Sequence, residues 1–197
     1  LEEQHKDIQL EWGKRKQLIF TNKAKPSLEI LKIDEETKEP LKGAKFRITQ
    51  TENKTTSEYV TDENGRILIT DLEDKIYTVE EIVAPAGYLL ENQHKDIQLE
   101  WGKRKQLIFT NKAKPKLRIL KVDATTGQPL KNAEFRVTKV EDKTVNEYIT
   151  DEKGEILIEN LDEAIYKAEE FMSPEGYDLY TETKEIALEW GKSATRS

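Results

Sequence analysis

Apolar and polar residues alternate along most of the chain, with the period of two that is typical of β-strands. Between Leu28 and Phe109 this alternation predicts seven short strands, separated by glycine-containing turns such as Asn64-Gly65. Seven strands in a segment of this length indicate an antiparallel β-sandwich of immunoglobulin-like architecture. The strands are marked by the pairs Leu28/Ile30, Phe46/Ile48, Tyr59/Thr61, Ile67/Ile69, Tyr77/Val79, Ile97/Leu99 and Leu107/Phe109.

The alternation recurs because the chain is a tandem array. Residues 4–26 are repeated without a change at residues 93–115, an offset of 93 − 4 = 89 residues, and the same offset relates the segment from Leu28 to the segment from Leu117. We therefore expect an all-β protein of tandem immunoglobulin-like sandwiches. Its predicted parts are the closing strands of a preceding repeat and candidate donor strand (1–25), a complete domain (26–114) and a second domain that lacks its last strand (115–197).

Composition excludes several classes of function. A net charge of −7 would repel a phosphate backbone, which argues against nucleic acid as a partner. No apolar run approaches the roughly 20 residues that span a bilayer, so membrane insertion is not expected. Cysteine is absent, and neither a catalytic triad nor a phosphate-binding loop is present. We expect no metal, no cofactor and no turnover enzyme.

Three polar residues interrupt the apolar faces of the predicted strands in the first repeat. The face of Leu28 and Ile30 continues to Lys32, the face of Tyr77 and Val79 to Glu81, and the face of Leu107 and Phe109 to Asn111. A buried and unpaired charge is costly, so we expect the three side chains to meet in the core. The equivalent residues elsewhere in the array are Lys121 and Glu170 in the second repeat and Asn22 in the N-terminal segment.

The residues alone leave more than one interpretation open. Lys32 and Glu81 could form a buried salt bridge with Asn111 as a neighbour, or the side chains at strand ends could reach solvent. Alternatively, burial favours a neutral amine and a protonated acid, and the amine could then attack the Asn111 side-chain carbonyl and release ammonia. Reactants held in place in this way can have effective molarities of roughly 10⁵ M or more.

The motifs that carry these residues resemble those of a known family. LEILKIDEETKEPLKGAKFRI from Leu28, then YTVEEIVAPAGYLL, then LIFTNKAKP are similar to the Cna B-type or SpaA-like domains in the stalks of Gram-positive surface adhesins and pilins. The resemblance implies that Lys32 is the nucleophile, Asn111 the acceptor and Glu81, rather than its neighbour Glu80, the catalytic acid of an autocatalytic isopeptide bond.

The second repeat departs from that pattern. Lys121 and Glu170 match the family's lysine and catalytic acid, but Ser173 replaces the alanine before proline and the acceptor is missing. An edge without its last strand can take a strand from another chain. Residues 14–22 of a neighbouring copy could therefore place Asn22 beside Lys121. The alternative is a chain cut at an arbitrary point of the array.

Two classes of function follow from the resemblance. The first is a structural stalk, stabilised by self-cross-linking, on the wall-anchored extracellular surface of a Gram-positive bacterium. The alternative is an adhesin module that itself recognises a host matrix protein. The loops of the chain are mostly charged, which favours the stalk over a binding surface.

Overall fold

The computed structural model of the chain describes residues 8–92 and 94–192, and these residues form thirteen strands and no helix. The predicted all-β fold class is confirmed. The first repeat contains β1 (Ser27–Asp34), β2 (Lys45–Gln50), β3 (Thr56–Val60), β4 (Arg66–Ile69), β5 (Ile76–Val83), β6 (His94–Gln98) and β7 (Arg104–Asn111). The second repeat contains β8 (Leu117–Leu120), β9 (Glu134–Lys139), β10 (Val145–Ile149), β11 (Glu155–Ile158), β12 (Ala164–Met172) and β13 (Lys184–Leu188).

The first repeat is a sandwich of two sheets, with strand orders β4-β1-β7 and β3-β2-β5-β6. Each of the seven predicted strands is present. The alternation along β1 is complete, since every second residue from Leu28 is buried. Its inward side chains pack with those of β2, β4, β5 and β7 in one apolar core, which includes Phe46 and Phe109.

One strand pair of the first repeat runs parallel, although the remaining pairs are antiparallel. The register of β1 against β7 begins at Ser27 opposite Arg104 and ends at Asp34 opposite Asn111. Because the first and last strands of the repeat point the same way, their carboxyl ends lie together. The alternation of apolar and polar residues shows which face of each strand points inward. It does not show whether two neighbouring strands run parallel or antiparallel.

Gly65 fixes the backbone of β1 at Lys32. The Lys32 amide donates to the Gly65 carbonyl at 2.7 Å, and the Lys32 carbonyl accepts from the Leu41 amide at 2.9 Å. Gly65 has a φ of +66°, and a Cβ on it would lie 2.3 Å from the Lys32 carbonyl oxygen. Glycine is therefore required where the turn approaches β1.

The second repeat has the same two layers, with strand orders β10-β9-β12-β13 and β11-β8. The segment AEEFM, residues 168–172, belongs to β12. Strand β8 is half as long as β1 and pairs with β11, and among the described residues no strand pairs with its other edge.

Residues 8–25 are exposed throughout, and no strand is assigned between residues 8 and 26. A turn is present at Trp12 and Gly13. The closing strands that the sequence predicts over residues 1–25 fall partly on residues 1–7, which lie outside the described residues. The described part of the chain contains no helical segment that could span a bilayer.

The Lys-Ala-Lys-Pro linker that follows β7 is hydrogen-bonded to both repeats. The Lys114 amide donates to the Gly87 carbonyl of the first repeat at 2.8 Å, and the Ala113 carbonyl accepts from the Gly191 amide of the second at 2.9 Å. The preceding copy of the linker makes the equivalent contact with the repeat that follows it, since the Ala24 carbonyl accepts from the Gly102 amide. The joint is therefore built from backbone contacts.

Candidate functional site

Lys32, Glu81 and Asn111 meet in the core of the first repeat. Lys32 Nζ donates to Asn111 Oδ1 at 2.5 Å, and Asn111 Nδ2 donates to Glu81 Oε1 at 3.0 Å. Lys32 Nζ also lies 3.3 Å from Glu81 Oε2. Lys32 and Asn111 are fully buried and Glu81 is 3% exposed. The three side chains form a closed triangle that excludes solvent.

The sandwich brings these residues together from both layers. Lys32 and Asn111 lie near the carboxyl ends of the parallel pair β1 and β7, while Glu81 comes from β5 in the facing sheet. Phe109, opposite Lys32 in the register, packs against Phe46 edge to face with ring centroids 4.9 Å apart. These two aromatic rings form the apolar floor beside the polar groups.

The strand phase distinguishes Glu81 from the neighbouring Glu80. Glu81 points into the core, whereas Glu80 lies on the exposed face and reaches Arg47 at 3.6 Å. The inward position that alternation predicts for Glu81 is therefore observed.

Burial shifts the two ionisable groups toward their neutral forms. Loss of hydration lowers the pKa of Lys32, and the attraction of the Glu81 carboxylate opposes this shift without cancelling it. Loss of hydration likewise raises the pKa of Glu81, against the opposing effects of Lys32 and Asn111. A neutral amine beside a protonated acid is the pair that nucleophilic attack requires.

The two oxygens of Glu81 face the two nitrogens that exchange places in an amide transfer. Oε2 lies beside Lys32 Nζ, which must lose protons, and Oε1 accepts from Asn111 Nδ2, which must gain one to leave as ammonia. A single carboxyl group in this position can carry a proton from the incoming amine to the departing one. The arrangement is also compatible with an unreacted ion pair.

Tyr88 and Asp34 also belong to the site, although no sequence pattern indicated a role for them. The Tyr88 hydroxyl hydrogen-bonds to Asp34, the last residue of β1, while the Tyr88 backbone forms a bridge with Ala113 beyond the end of β7. Burial and then the Asp34 carboxylate raise the pKa of Tyr88 to about 12. Tyr88 follows a glycine in a loop, where no periodic pattern indicates its contacts.

Lys95 is a further residue near the site that the sequence did not indicate. Its Nζ lies 4.6 Å from the centroid of the Phe109 ring, so a cation covers the aromatic floor of the site. Its positive charge also lowers the pKa of Lys32, although burial has the larger effect.

The second repeat places Lys121 beside Glu170. Lys121 Nζ lies 2.8 Å from Glu170 Oε2, and the same oxygen accepts from the Tyr180 amide at 2.9 Å. The Lys121 side chain is 15% exposed, whereas that of Lys32 is fully buried. Asn22 lies in the exposed N-terminal segment and is not brought to either lysine within the chain.

The chain is similar in sequence to segments of two longer bacterial proteins. It is 34% identical over 70 residues to the trypsin-resistant surface T6 protein of Streptococcus pyogenes serotype M6, a match that covers 36% of this chain and 13% of that protein. It is also 33% identical to the TIE protein of Bacillus anthracis, covering 85% of this chain and 32% of that one, with a TM-score of 0.47. The chain thus spans a third or less of the length of either relative.

Comparison with solved structures finds a pilin with a similar fold. The shaft pilin SpaA of Lactobacillus rhamnosus GG is 14% identical, with a TM-score of 0.52, and the match covers 84% of this chain and 93% of the pilin chain. At this identity the likeness concerns the fold alone. The family model described as the SpaA prealbumin-like fold domain matches twice, at residues 26–113 and 115–196. The chain therefore belongs to the family of SpaA prealbumin-like domains.

Proposed function

We propose that this chain is a pair of stalk repeats from a cell-surface adhesin or pilin, and that the first repeat is closed by an autocatalytic isopeptide bond between Lys32 and Asn111. The observation that carries the proposal is the buried triangle in which Glu81 contacts both reacting nitrogens. The names of the similar proteins, a streptococcal surface protein and a shaft pilin, support a structural role at the surface.

The reaction begins from the neutral pair. The lone pair of Lys32 Nζ attacks Cγ of Asn111, and the carbonyl electrons move onto Oδ1. Glu81 gives its proton to Nδ2 and takes one from Nζ, so that the Cγ–Nδ2 bond breaks and ammonia leaves. The products are an Nζ–Cγ amide and one ammonia, and Glu81 ends in the protonated form from which it started. Each site reacts once, so the protein is not a turnover enzyme.

The proposed bond closes a long loop and replaces the disulfides that the chain lacks. Lys32 and Asn111 are 79 positions apart. By analogy with disulfides, closing a loop of that length restricts the unfolded chain by about 4.5 kcal/mol at 25 °C. The bond would tie together the first and last strands of the repeat, which is where a stalk carries tension.

We place the domain boundaries at residues 26–114 and 115–197, with residues 1–25 as the closing segment of a preceding repeat. The setting is the wall-anchored extracellular surface of a Gram-positive bacterium. Copies of the chain would join head to tail through Asn22, and contact with a host matrix protein would be made through other domains.

The test is the intact mass of the denatured protein. We expect the first repeat to lower the mass by one ammonia relative to the sequence, and a Glu81→Gln variant to keep the full mass because an amide cannot relay the proton. Peptide mapping should find residues 32 and 111 in one branched fragment.

The matched control is Glu80→Gln, which makes the same chemical change one residue away on the exposed face. It should lose ammonia like the parent chain. If the parent chain has its full sequence mass, Lys32, Glu81 and Asn111 are a buried salt bridge with a hydrogen-bonded neighbour, and the proposed reaction is wrong.

A further inference from the structure

The turn between β3 and β4 carries the one Asn-Gly pair of the sequence, Asn64-Gly65. The Asn64 side chain is exposed to solvent, whereas Gly65 is buried. An asparagine that precedes glycine is prone to deamidation, because a glycine has no Cβ to block its backbone nitrogen from the asparagine side chain. The pair is therefore a candidate site of spontaneous modification.

The fold requires the glycine of this pair but not the asparagine. A Cβ on Gly65 would lie 2.3 Å from the Lys32 carbonyl oxygen, and a Cβ on Gly154 would lie 2.4 Å from that of Lys121. Both repeats thus need glycine where the turn approaches the first strand. The residue before Gly154 is Lys153, so the same turn forms in the second repeat without an asparagine.

Hydrogen bonds within the turn hold the nitrogen that would react. The Gly65 amide donates to the Asp62 carbonyl at 2.9 Å, which closes a β-turn over residues 62–65. Asp62 Oδ1 accepts from the amides of Asn64 and Arg66, both at 2.9 Å. The Gly65 nitrogen can attack the Asn64 side chain only after its N–H leaves Asp62 and the backbone of Asn64 rotates. The intact turn therefore suppresses the reaction, and local opening permits it.

The same turn is attached to the middle of β1. The Gly65 carbonyl accepts from the Lys32 amide at 2.7 Å, and the next residue, Arg66, is paired with Leu31 in the register of β1 and β4. A change in the backbone at residue 64 would therefore be passed directly to β1.

We propose that Asn64 is a deamidation site that the folded turn protects, and that its isoaspartyl product prevents the turn from holding β1. This reaction is separate from the bond proposed between Lys32 and Asn111. It proceeds where the fold of the first repeat is lost, so its product marks chains in which this turn has opened.

The reaction consumes one water and releases one ammonia. The Gly65 amide nitrogen gives its proton to hydroxide and attacks Cγ of Asn64. An N–Cγ bond forms, the Cγ–Nδ2 bond breaks, and the leaving nitrogen takes up a proton to depart as ammonia. Water then opens the cyclic imide. Opening at Cγ gives aspartate in a normal backbone, whereas opening at the backbone carbonyl gives isoaspartate, whose chain runs through the side chain.

The two products differ in their fit to the turn. Isoaspartate lengthens the backbone before Gly65 by one atom, at a point where the approach to Lys32 leaves no room for a methyl group. It also places a carboxylate beside the acidic pair Asp62 and Glu63. Aspartate adds a negative charge but keeps the backbone length. The isoaspartyl form is therefore the one that we expect to disrupt the turn.

The experiment is a time course of the purified 197-residue chain in mildly alkaline buffer, with and without denaturant, followed by peptide mapping. We expect residue 64 to convert to isoaspartate and aspartate in denaturant, and on the order of tenfold more slowly in the folded chain. Backbone fragmentation in the mass spectrometer distinguishes the two products. Equal rates in both conditions, or an unchanged Asn64 in denaturant, would overturn the proposal.

Exchange of residues between the two repeats provides matched variants. Asn64→Lys should abolish the modification and leave the turn intact, because Lys153 occupies the equivalent position with its amide 2.8 Å from Asp151 Oδ1. Lys153→Asn should create a second site that is protected in the same way, since the Gly154 amide donates to the Asp151 carbonyl at 2.9 Å. A Lys153→Asn chain that reacts equally fast when folded and unfolded would show that the turn gives no protection.

The effect on the fold is measured on the separated products. After removal of denaturant, the first repeat of the isoaspartyl chain should unfold several degrees below that of Asn64→Asp, which has the normal backbone. Equal unfolding temperatures would show that the turn tolerates the longer backbone and would refute that part of the proposal. The imide intermediate also weighs one ammonia less than the sequence. It lies within a single peptide and disappears on hydrolysis, unlike a branched fragment containing residues 32 and 111.

Discussion

At the scale of single residues, Tyr88 connects the two strands whose side chains are proposed to react. Its hydroxyl reaches Asp34 two residues after Lys32, and its loop is tied to the chain after Asn111 by a hydrogen bond from the Leu89 amide to the Lys112 carbonyl at 3.0 Å. Burial alone would raise the pKa of Asp34, but the amides of Thr37 and Glu36 and the Tyr88 hydroxyl hold it below its ordinary value. The pair is thus a neutral phenol donating to a carboxylate.

These pKa shifts predict how the pair stabilises the fold at different pH. The raised pKa of Tyr88 means that its contribution is complete below pH 10.0 and is lost as the pH rises toward about 12. The lowered pKa of Asp34 means that its contribution is complete above pH 3.8 and is lost in more acidic solution. In Tyr88→Phe we expect the free energy of unfolding to fall by about 1 kcal/mol at neutral pH.

Spectroscopic titration of tyrosinate checks the prediction directly. The difference between the parent and Tyr88→Phe titrations should isolate a tyrosine that ionises near pH 12. Tyr177→Phe removes the equivalent hydroxyl of the second repeat, which hydrogen-bonds to Asp123 on an exposed side chain, and it is the control for the same contact without burial. A difference titration centred near pH 10 would show that Tyr88 is not held by Asp34.

Gly65 supports the site through the backbone rather than through a side chain. We expect Gly65→Ala to destabilise the first repeat by more than about 2 kcal/mol, because its Cβ would lie 2.3 Å from the Lys32 carbonyl oxygen and 2.8 Å from the Leu41 amide. Gly43→Ala is the control, since Gly43 has a similar positive φ but open space around a Cβ. If the two variants lose the same free energy of unfolding, the destabilisation comes from the positive φ of the glycine and not from the contact with β1.

At the scale of strands, alternation in the sequence was sufficient to assign the inward faces. Lys32 and Glu81 occupy the positions expected from Leu28 and Val79, because a period of two has no other phase once the apolar face is known. The parallel pairing of β1 and β7 could not be derived in this way, since it depends on how the chain crosses between sheets. The Asp34 and Tyr88 contact is likewise set by a loop.

The tie between β1 and β7 predicts a large difference in thermal stability. If Glu81→Gln prevents the bond, its first repeat should unfold at a temperature lower than the parent's by roughly 20 °C or more, from the estimated 4.5 kcal/mol of loop closure. Differential scanning calorimetry of the parent, Glu81→Gln and Glu80→Gln chains checks this. If the first repeat unfolds at the same temperature in the parent chain and in Glu81→Gln, no covalent bond joins the two strands.

The linker sequence occurs twice in the chain, so the protease resistance of its two copies can be compared within one molecule. Lys112 and Ala113 lie in a segment with backbone hydrogen bonds to both repeats, whereas Lys23 in the preceding copy is exposed. A lysine-specific protease should therefore cut after Lys23 long before it cuts after Lys112, although the flanking sequence is identical. Equal cleavage rates at the two bonds would show that the joint opens readily.

At the scale of the whole molecule, the parallel arrangement determines how tension passes through the first repeat. Tension enters at the start of β1 and leaves at the end of β7, so it shears the two strands past each other along their full register. A bond between Lys32 and Asn111 would carry this load from one strand to the other near the point of exit. Residues 33–110 would then be sheltered from extension.

Single-molecule pulling from the two ends of the chain should therefore give one unfolding event for the parent chain and two for Glu81→Gln. The extra event would release the 79 positions between the bonded residues, or about 270 Å at roughly 3.4 Å per residue. The second repeat supplies the common event, because no bond is proposed within it. Glu80→Gln should behave like the parent chain. Two events in the parent would mean that tension unfolds the first repeat, which a stalk closed at Lys32 and Asn111 could not allow.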